Sequence, residues 1–156
     1  MARSSILYQA MTAVQTTIKA LNLDGLDSDC VVLQKVAVQR DELVLPAVVI
    51  APGPSIPQGR GTNVRDDWQR SVLVAIFQAD NQDHADSNED LDRYLLWQEQ
   101  IEHAFVSQPL TMASTTYGNV LECSIAPHNN LEFLHFKNNL LVTAFFVQVK
   151  TRETRT

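Results

Sequence analysis

The sequence predicts an α+β domain in which two helices pack on one face of a mostly antiparallel sheet. Residues 4–23 and 87–108 repeat apolar side chains at the three- and four-residue spacing of an amphipathic helix. Five other segments are rich in β-branched and apolar residues, which favours strands. Because helices are few relative to strands, antiparallel pairing is expected. The predicted element order is α-β-β-β-α-β-β.

Composition predicts one folded domain over residues 1–156. The 45% of hydrophobic residues can fill a core, and the 19% of charged residues argue against disorder. The net charge of −6 disfavours nonspecific binding to DNA or to an anionic membrane. No apolar run approaches the about 18 residues that would span a bilayer. The N-terminus lacks the layout of a signal peptide, so we expect a protein made and working in a cytoplasm.

The first helix is predicted over Ser4–Leu23. Ser4 or Ser5 caps its start, and Gly25 supplies its stop. One face is apolar and consists of Leu7, Met11, Val14, Ile18 and Leu21. The opposite face is polar and almost uncharged, which suits either solvent or contact with another subunit.

Three strands are predicted next, at Cys30–Arg40, Leu43–Ala51 and Trp68–Ala79. Pro46 cannot donate a ladder hydrogen bond, so the second strand should lie at an edge or carry a bulge. The third strand is apolar on both faces. This pattern is typical of a central strand that is covered on both sides, or by a helix on one side and a partner on the other.

A long loop is predicted over Pro52–Asp67, which contains three prolines and three glycines. Loops of this length in compact domains are usually functional or disordered. Arg60 and Arg65 in the loop suit acidic groups of a neighbour, a phosphate, or plain solvation. We take both arginines, with the adjacent Trp68, as candidate interface residues.

The second helix is predicted over Ser87–Gln108, with a capping-box-like Ser87 and Asp90 at its start and Pro109 at its end. Two strands follow, at Asn119–Ala126 and Asn139–Lys150, before a tail, Thr151–Thr156, that is expected to be frayed.

The connection between the last two strands, residues 127–138, is polar but carries four apolar side chains. The sheet also has more apolar surface than two helices are expected to cover. Exposed apolar surface of this kind marks an interface. Leu131, Phe133 and Phe136 are therefore candidate interface residues as well.

No pattern in the sequence predicts catalysis, a cofactor or a metal. Cys30 and Cys123 are interpreted as free thiols rather than a disulfide. The acidic residues around His84 lack the spacing of an EF-hand loop, and Glu99 and His103 lack the second histidine of a metalloprotease helix. His128 and His135 are interpreted as surface residues, and the glycines at 53, 59 and 61 match neither a dinucleotide motif nor a P-loop. We therefore expect a protein that is not an enzyme.

Three stretches carry a family resemblance. They are the amphipathic first helix ending near Leu23, the stretch LDRYLLWQEQIEHAFVSQPL over residues 91–110, and the strand Val120–Pro127 with the long apolar strand that follows it. In these stretches and in its element order, the chain resembles the tail-terminator, or tail-completion, proteins of long-tailed bacteriophages.

The resemblance implies a structural subunit without enzyme activity. It implies a ring of usually six copies on the last ring of the tail tube, where the subunits bind the tail tube protein and the head–tail connector or stopper protein. DNA would be passing cargo only, and the protein would belong to the tail or neck of a virion assembled in the host cytoplasm. A net negative charge suits a lumen that DNA must cross without sticking.

Two other functions stay open at this point. One is a different neck component, such as a stopper or head-completion protein. The other is a small ligand-binding α+β domain, in which Arg60 and Arg65 of the 52–67 loop would hold an anionic group.

Overall fold

In the part of the chain that the structure describes, two α-helices and five strands follow one another in the predicted order. This computed structural model describes residues 4–36, 44–60, 64–79, 87–106, 110–112, 114–130 and 140–154. The helices are α1, Ile6–Ala20, and α2, Ser87–Phe105. The strands are β1, Val31–Leu33; β2, Ala47–Arg60; β3, Arg65–Ala79; β4, Gly118–Ile125; and β5, Leu140–Thr154.

The strands form one sheet in the order β1-β2-β3-β5-β4. β1 runs parallel to β2, and the other pairs are antiparallel. β3 occupies the centre, as its two apolar faces predict. It pairs with β5 from Arg65 opposite Thr154 to Ala79 opposite Leu140, without a register shift. Side chains therefore alternate between the two faces along the full length of both strands.

Both helices pack on one face of this sheet, as predicted. α1 buries Val14 and Ile18 there, and α2 buries Trp97, Ile101 and Phe105. They meet inward-facing side chains of the three central strands, which are Val48, Ile50, Val72, Val74, Ile76, Phe145, Val147 and Val149. Trp97 is fully buried, and its Nε1 donates to the Asp24 carbonyl oxygen at 2.8 Å, which ties α2 to the chain that leaves α1.

The start of α1 follows the prediction, but its end does not. Ser5 is the N-cap, and its Oγ accepts from the Tyr8 amide at 3.3 Å. The helix ends at Ala20, because Asn22 adopts a left-handed φ of 49° that an asparagine tolerates. Gly25, with a φ of 80°, forms a later turn and does not stop the helix.

The face of the sheet opposite the helices is buried at one end. Val49, Ala75, Phe77 and Val142 form a second apolar cluster there, and each is at most 4% exposed. The expectation that the chain leaves this apolar sheet surface uncovered is therefore wrong for these residues.

Three predicted boundaries also need correction. The Pro52–Asp67 segment is strand up to Arg60 and again from Arg65, so it is not a long loop. Residues 151–154 belong to β5 instead of a frayed tail, and Thr151, which pairs with Trp68 of β3, is fully buried. The strand predicted over Cys30–Arg40 is confined to Val31–Leu33 within the described residues, while residues 37–43 lie outside them.

Pro46 lies just before β2, after a cis peptide bond with Leu45, so it occupies no ladder position. The prediction that Pro46 places this strand at an edge or causes a bulge is wrong, because β2 begins at Ala47, after the proline, and lies there between β1 and β3. β2 carries its irregularities further along the chain, where register shifts lie between Pro52 and Ser55 and between Pro57 and Gly59.

Candidate assembly surface

Beyond the helices, β2 and β3 continue as a ribbon that we call the arm, defined as residues 53–60 and 64–71. Residues 149–154 of β5 pair alongside its β3 strand. Most of the β2 side of the arm is exposed, including Ile56 at 48%, and Val64 near the tip is 62% exposed. The arm is therefore an ordered β element that presents apolar side chains to the outside.

Two glycines let β2 follow β3 along the arm. A Cβ at Gly53 would lie 2.9 Å from the Phe146 ring and 2.9 Å from the Ser71 carbonyl oxygen, so only glycine fits this close approach. Gly59 has a φ of 124°, which other residues rarely adopt, and it follows the second register shift. The two glycines lie at the two register shifts of β2, where they allow the backbone conformations that the bulges require.

Along the outer edge of the arm, β2 carries prolines at positions 54 and 57, and Pro52 lies just before the arm. β1 ends at Leu33, opposite Ile50, so within the described residues β2 has no strand neighbour on that side beyond this point. Because proline lacks an amide N–H, such an edge is a poor template for adding another strand. The edge of the arm is therefore poorly suited to pairing with an added strand.

Arginine–carboxylate pairs fasten the arm to β5 on both faces of the sheet. On the helix-bearing face, Arg70 Nε and Nη2 donate to the two carboxylate oxygens of Glu153 at 2.8 and 2.7 Å. Thr151 Oγ1 donates to Glu153 Oε2 at 2.6 Å, and Glu153 is only 7% exposed. This bidentate and nearly buried pair restrains both strands.

On the opposite face, Arg152 Nε and Nη2 donate to the Asp67 carboxylate at 2.8 and 3.1 Å. The hydrogen bonds from Arg152, together with its positive charge, lower the pKa of Asp67. The carboxylate therefore stays ionised at neutral pH, and the pair is charged under ordinary conditions.

Trp68 joins the cluster on the helix-bearing face. The Arg70 guanidinium lies over its ring, with 4.3 Å between the guanidinium carbon and the ring centroid. Trp68 is half-buried and pairs with Pro57 on one side and Thr151 on the other. Arg70 thus contacts an aromatic face and a carboxylate together, which fixes its orientation.

Of the predicted interface residues, Arg60, Arg65 and Trp68 all belong to the arm. Arg60 is the last residue of β2 and pairs with Asp66, and Arg65 is the first residue of β3 and pairs with Thr154. Leu131, Phe133 and Phe136 lie outside the described residues, so their role stays a prediction. The sequence did not point to Arg70, Asp67, Arg152 or Glu153, because the partners in each pair are more than 80 positions apart.

Other groups of potential chemistry lie apart from the arm. His128 Nε2 lies 2.8 Å from Glu102 Oε1, and its ring packs on Phe145 with 4.9 Å between centroids.

Burial raises the pKa of both free thiols, Cys30 and Cys123, and the pKa of Cys30 is raised further by Asp27 and Asp29. Among the described residues, no group of three or more His, Cys, Asp or Glu side chains could hold a metal ion. The acidic residues around His84 lie outside the described part of the chain.

A buried polar network under α2 has a structural explanation. The Tyr94 hydroxyl contacts the Ile76 carbonyl oxygen at 3.0 Å and Thr143 Oγ1 at 2.8 Å. Gln98 Nε2 donates to Thr143 Oγ1 at 2.9 Å and to the Asn130 carbonyl oxygen at 3.0 Å. Burial raises the pKa of Tyr94, so the phenol stays protonated and the network serves to position α2 on the sheet.

A shallow groove of about 370 Å³ lies beside the base of the arm. It is lined by Tyr8, Met11, Leu33, Gln34, Lys35 and Pro52. Its described lining includes Pro52 from the segment predicted as a ligand-binding loop, but not Arg65. The groove is therefore not built on Arg65, one of the two arginines that the ligand-binding alternative requires.

Within the described residues, neither helix is long and apolar enough to cross a membrane.

No protein-family model matches the chain, and no curated protein matches it. Among solved structures, it is similar to a chain of the virion of a native gene transfer agent particle. The TM-score is 0.55 at 12% sequence identity, and the match covers 96% of this chain and 99% of that chain. At this identity the similarity shows a shared fold, and it extends over nearly the full length of both chains.

Proposed function

We propose that this chain is a structural virion subunit that forms a ring on the end of a tail tube and joins the tube to the head connector. The observation that carries the proposal is the shared fold with a virion chain over 96% of this chain and 99% of that one. The match extends over nearly the full length of both chains.

The arm supports an assembly role on physical grounds. Two arginine–carboxylate pairs join its β3 strand to β5, and it exposes Ile56 and Val64. A surface that is ordered before contact loses less conformational entropy on binding, which favours affinity. An exposed apolar group on a rigid ribbon is therefore suited to a neighbouring protein.

The described side chains favour a structural role over catalysis. The raised pKa values of Cys30 and Cys123 disfavour the thiolate, which is the nucleophilic form. His128 is engaged with Glu102 and Phe145. We accordingly propose no enzymatic activity and no cofactor.

Capping of tail tubes tests this function directly. Purified protein is added to tubes growing from the tail tube protein, and tube lengths and ends are measured in negative-stain images. We expect growth to stop and a ring to appear at one end of each tube. Failure to bind tube ends would overturn the proposal, and binding to the head connector alone would indicate another neck component instead.

A matched pair of variants shows whether the arm mediates capping. Val64→Asp places a charge at an apolar position of the arm tip that is 62% exposed, and Val36→Asp does the same at a position that is 53% exposed outside the arm. We expect Val64→Asp to reduce capping while both variants keep the wild-type thermal midpoint. Equal capping by the two variants would remove the arm tip from the mechanism.

A further inference from the structure

The two ends of the sheet carry opposite charge. At the arm end, the arm and residues 149–154 contain five basic side chains and three acidic ones, and β4 adds Glu122 opposite Lys150. The basic residues are Arg60, Arg65, Arg70, Lys150 and Arg152, and the acidic ones are Asp66, Asp67 and Glu153. The arm end of the sheet is therefore net basic in a chain whose net charge is −6.

The other end of the sheet is acidic. β1 begins there, because Val31 pairs with Val48. Val48 is next to Ala47, the first residue of β2, which pairs with Phe77. The connection from α1 to β1 carries exposed Asp24, Asp27 and Asp29, and the first half of α2 adds exposed Asp92. Lys19 and Arg93 are the basic residues nearby among the described ones, so the acidic excess remains.

These acidic residues belong to one composite surface. A Cβ at Gly25 would lie 3.0 Å from Arg93 Nη1, and Trp97 donates to the Asp24 carbonyl oxygen, so the connection and α2 lie side by side. Leu96, one helical turn after Asp92, is 47% exposed. We call Asp24, Asp27, Asp29, Asp92 and Leu96 the acidic surface.

The arm and the acidic surface complement each other in two respects. The arm combines a basic excess with exposed Ile56 and Val64, and the acidic surface combines carboxylates with exposed Leu96. Protein interfaces commonly pair opposite potentials around apolar contacts, which sets orientation and partner choice.

One copy cannot satisfy this complementarity by itself. β3 and β5 each run 15 residues from the arm end to the opposite end. At about 3.3 Å per residue, the two ends lie on the order of 50 Å apart. The arm of one molecule can reach an acidic surface only on a second molecule.

We propose that the arm of one copy binds the acidic surface of the next copy, in a head-to-tail contact that repeats around a closed assembly. The proposal rests on the proposed function, since it specifies the contact between copies of the ring. A contact between two different surfaces of the same chain is heterologous and closes into a ring when its rotation permits.

A second copy fits the arm better than a nucleic acid does. Arg70 and Arg152 are engaged in pairs with Glu153 and Asp67, so these two basic groups already meet carboxylates. Acidic residues are interleaved along the arm, and its exposed Ile56 and Val64 offer nothing to a phosphate backbone.

Charge exchange between the two surfaces tests the contact. One variant carries Arg60→Glu with Arg65→Glu in the arm, and the other carries Asp24→Lys with Asp29→Lys in the acidic surface. Self-association is measured by light scattering at low ionic strength, after thermal unfolding has confirmed that each variant folds. Lys35→Glu, at an exposed lysine outside both surfaces, is the control for a change of net charge.

We expect each variant alone to associate at least about tenfold more weakly than the wild type, because like charges then face each other. The association affinity of an equimolar mixture of the two variants should recover to within about threefold of the wild type, since each altered surface meets an opposite charge on the other variant. A single chain with all four changes should recover its association affinity to a similar extent. The affinity of the Lys35→Glu control should stay within about twofold of the wild type.

Three results would overturn the contact. They are a mixture no better than its components, two variants that associate like the wild type, and a wild type that remains monomeric at the highest concentration. Loss of binding to a duplex oligonucleotide in the arm variant, with unchanged self-association, would assign the arm to nucleic acid instead. If the wild type is monomeric but still caps tail tubes, the contact is overturned and the proposed function is not. If mixing the two variants restores self-association but the protein does not cap tubes, only the proposed function is overturned.

Discussion

The half of the sheet under the helices and the arm beyond them are stabilised by different interactions. Under the helices, strands bury valine, isoleucine and aromatic side chains against Trp97, Ile101 and Phe105. In the arm, the same strands continue with hydrogen-bonded arginine–carboxylate pairs, prolines and two special glycines. The comparison indicates that one half supplies the stability of the chain and the other supplies a shaped surface.

The largest effect is expected in the helix-covered half. Trp97→Ala removes a fully buried ring and a hydrogen bond to the Asp24 carbonyl oxygen. Loss of a buried tryptophan costs about 3–5 kcal/mol of unfolding free energy, from lost burial and the cavity that remains. Urea unfolding followed by circular dichroism measures this, and a loss below about 1 kcal/mol would contradict the assignment of this half as the stabilising one.

A smaller effect is expected where the arm leaves the body. Gly53→Ala adds a methyl group 2.9 Å from both the Phe146 ring and the Ser71 carbonyl oxygen. The ring can shift, but the backbone oxygen cannot move without disturbing the ladder, so we expect a loss of about 1–3 kcal/mol. Pro54→Ala, at an exposed neighbouring position, is the control and should stay close to the wild type in the same urea titration. Equal stability of the two variants would show that the close approach at Gly53 does not exist in solution.

The smallest effect is expected at the partly exposed Arg152–Asp67 pair, and it depends on pH. The pKa of Asp67 is lowered in the folded protein by its hydrogen bonds from Arg152. Because the folded pKa lies below the unfolded one, the contribution of the pair is present above about pH 4 and is lost as the pH falls through the folded pKa.

The measurement compares the wild type with Asp67→Asn by thermal unfolding between neutral pH and strong acid. We expect the wild type to be the more stable at neutral pH and the two midpoints to converge in acid. A difference that stays constant across this range would assign the effect of the substitution to something other than ionisation of Asp67.

The contrast between the two halves also explains what the sequence could predict. The helix around Trp97 and the strand Val72–Phe77 follow simple periodicities, because each buries at least one apolar face. The part of the arm before Trp68 was predicted to be a loop, since prolines and glycines are depleted in strands. Within the described residues, the prolines lie along an edge without a neighbouring strand and Gly59 follows a register shift, which are places where a strand tolerates such residues.

The candidate surface could be predicted only in part. Arg60, Arg65 and Trp68 stood out because charged and aromatic residues are conspicuous in a segment of turn-forming residues. The pairs Arg70–Glu153 and Arg152–Asp67 depend on the register of β3 with β5, and no local pattern encodes that register. The tail was expected to fray for the same reason, because its charged residues have their partners 83 to 85 positions earlier.

The most direct test of the central claim is amide hydrogen exchange, measured in dilute and in concentrated protein. If the arm is an assembly element, amides of residues 54–60 and 64–70 should gain protection as copies associate, while those of α2 should be protected at both concentrations. Deuterium uptake by mass spectrometry resolves the two regions in one experiment. The account would be contradicted if amide exchange in the arm were unchanged when the copies associate and new protection appeared only at other surfaces.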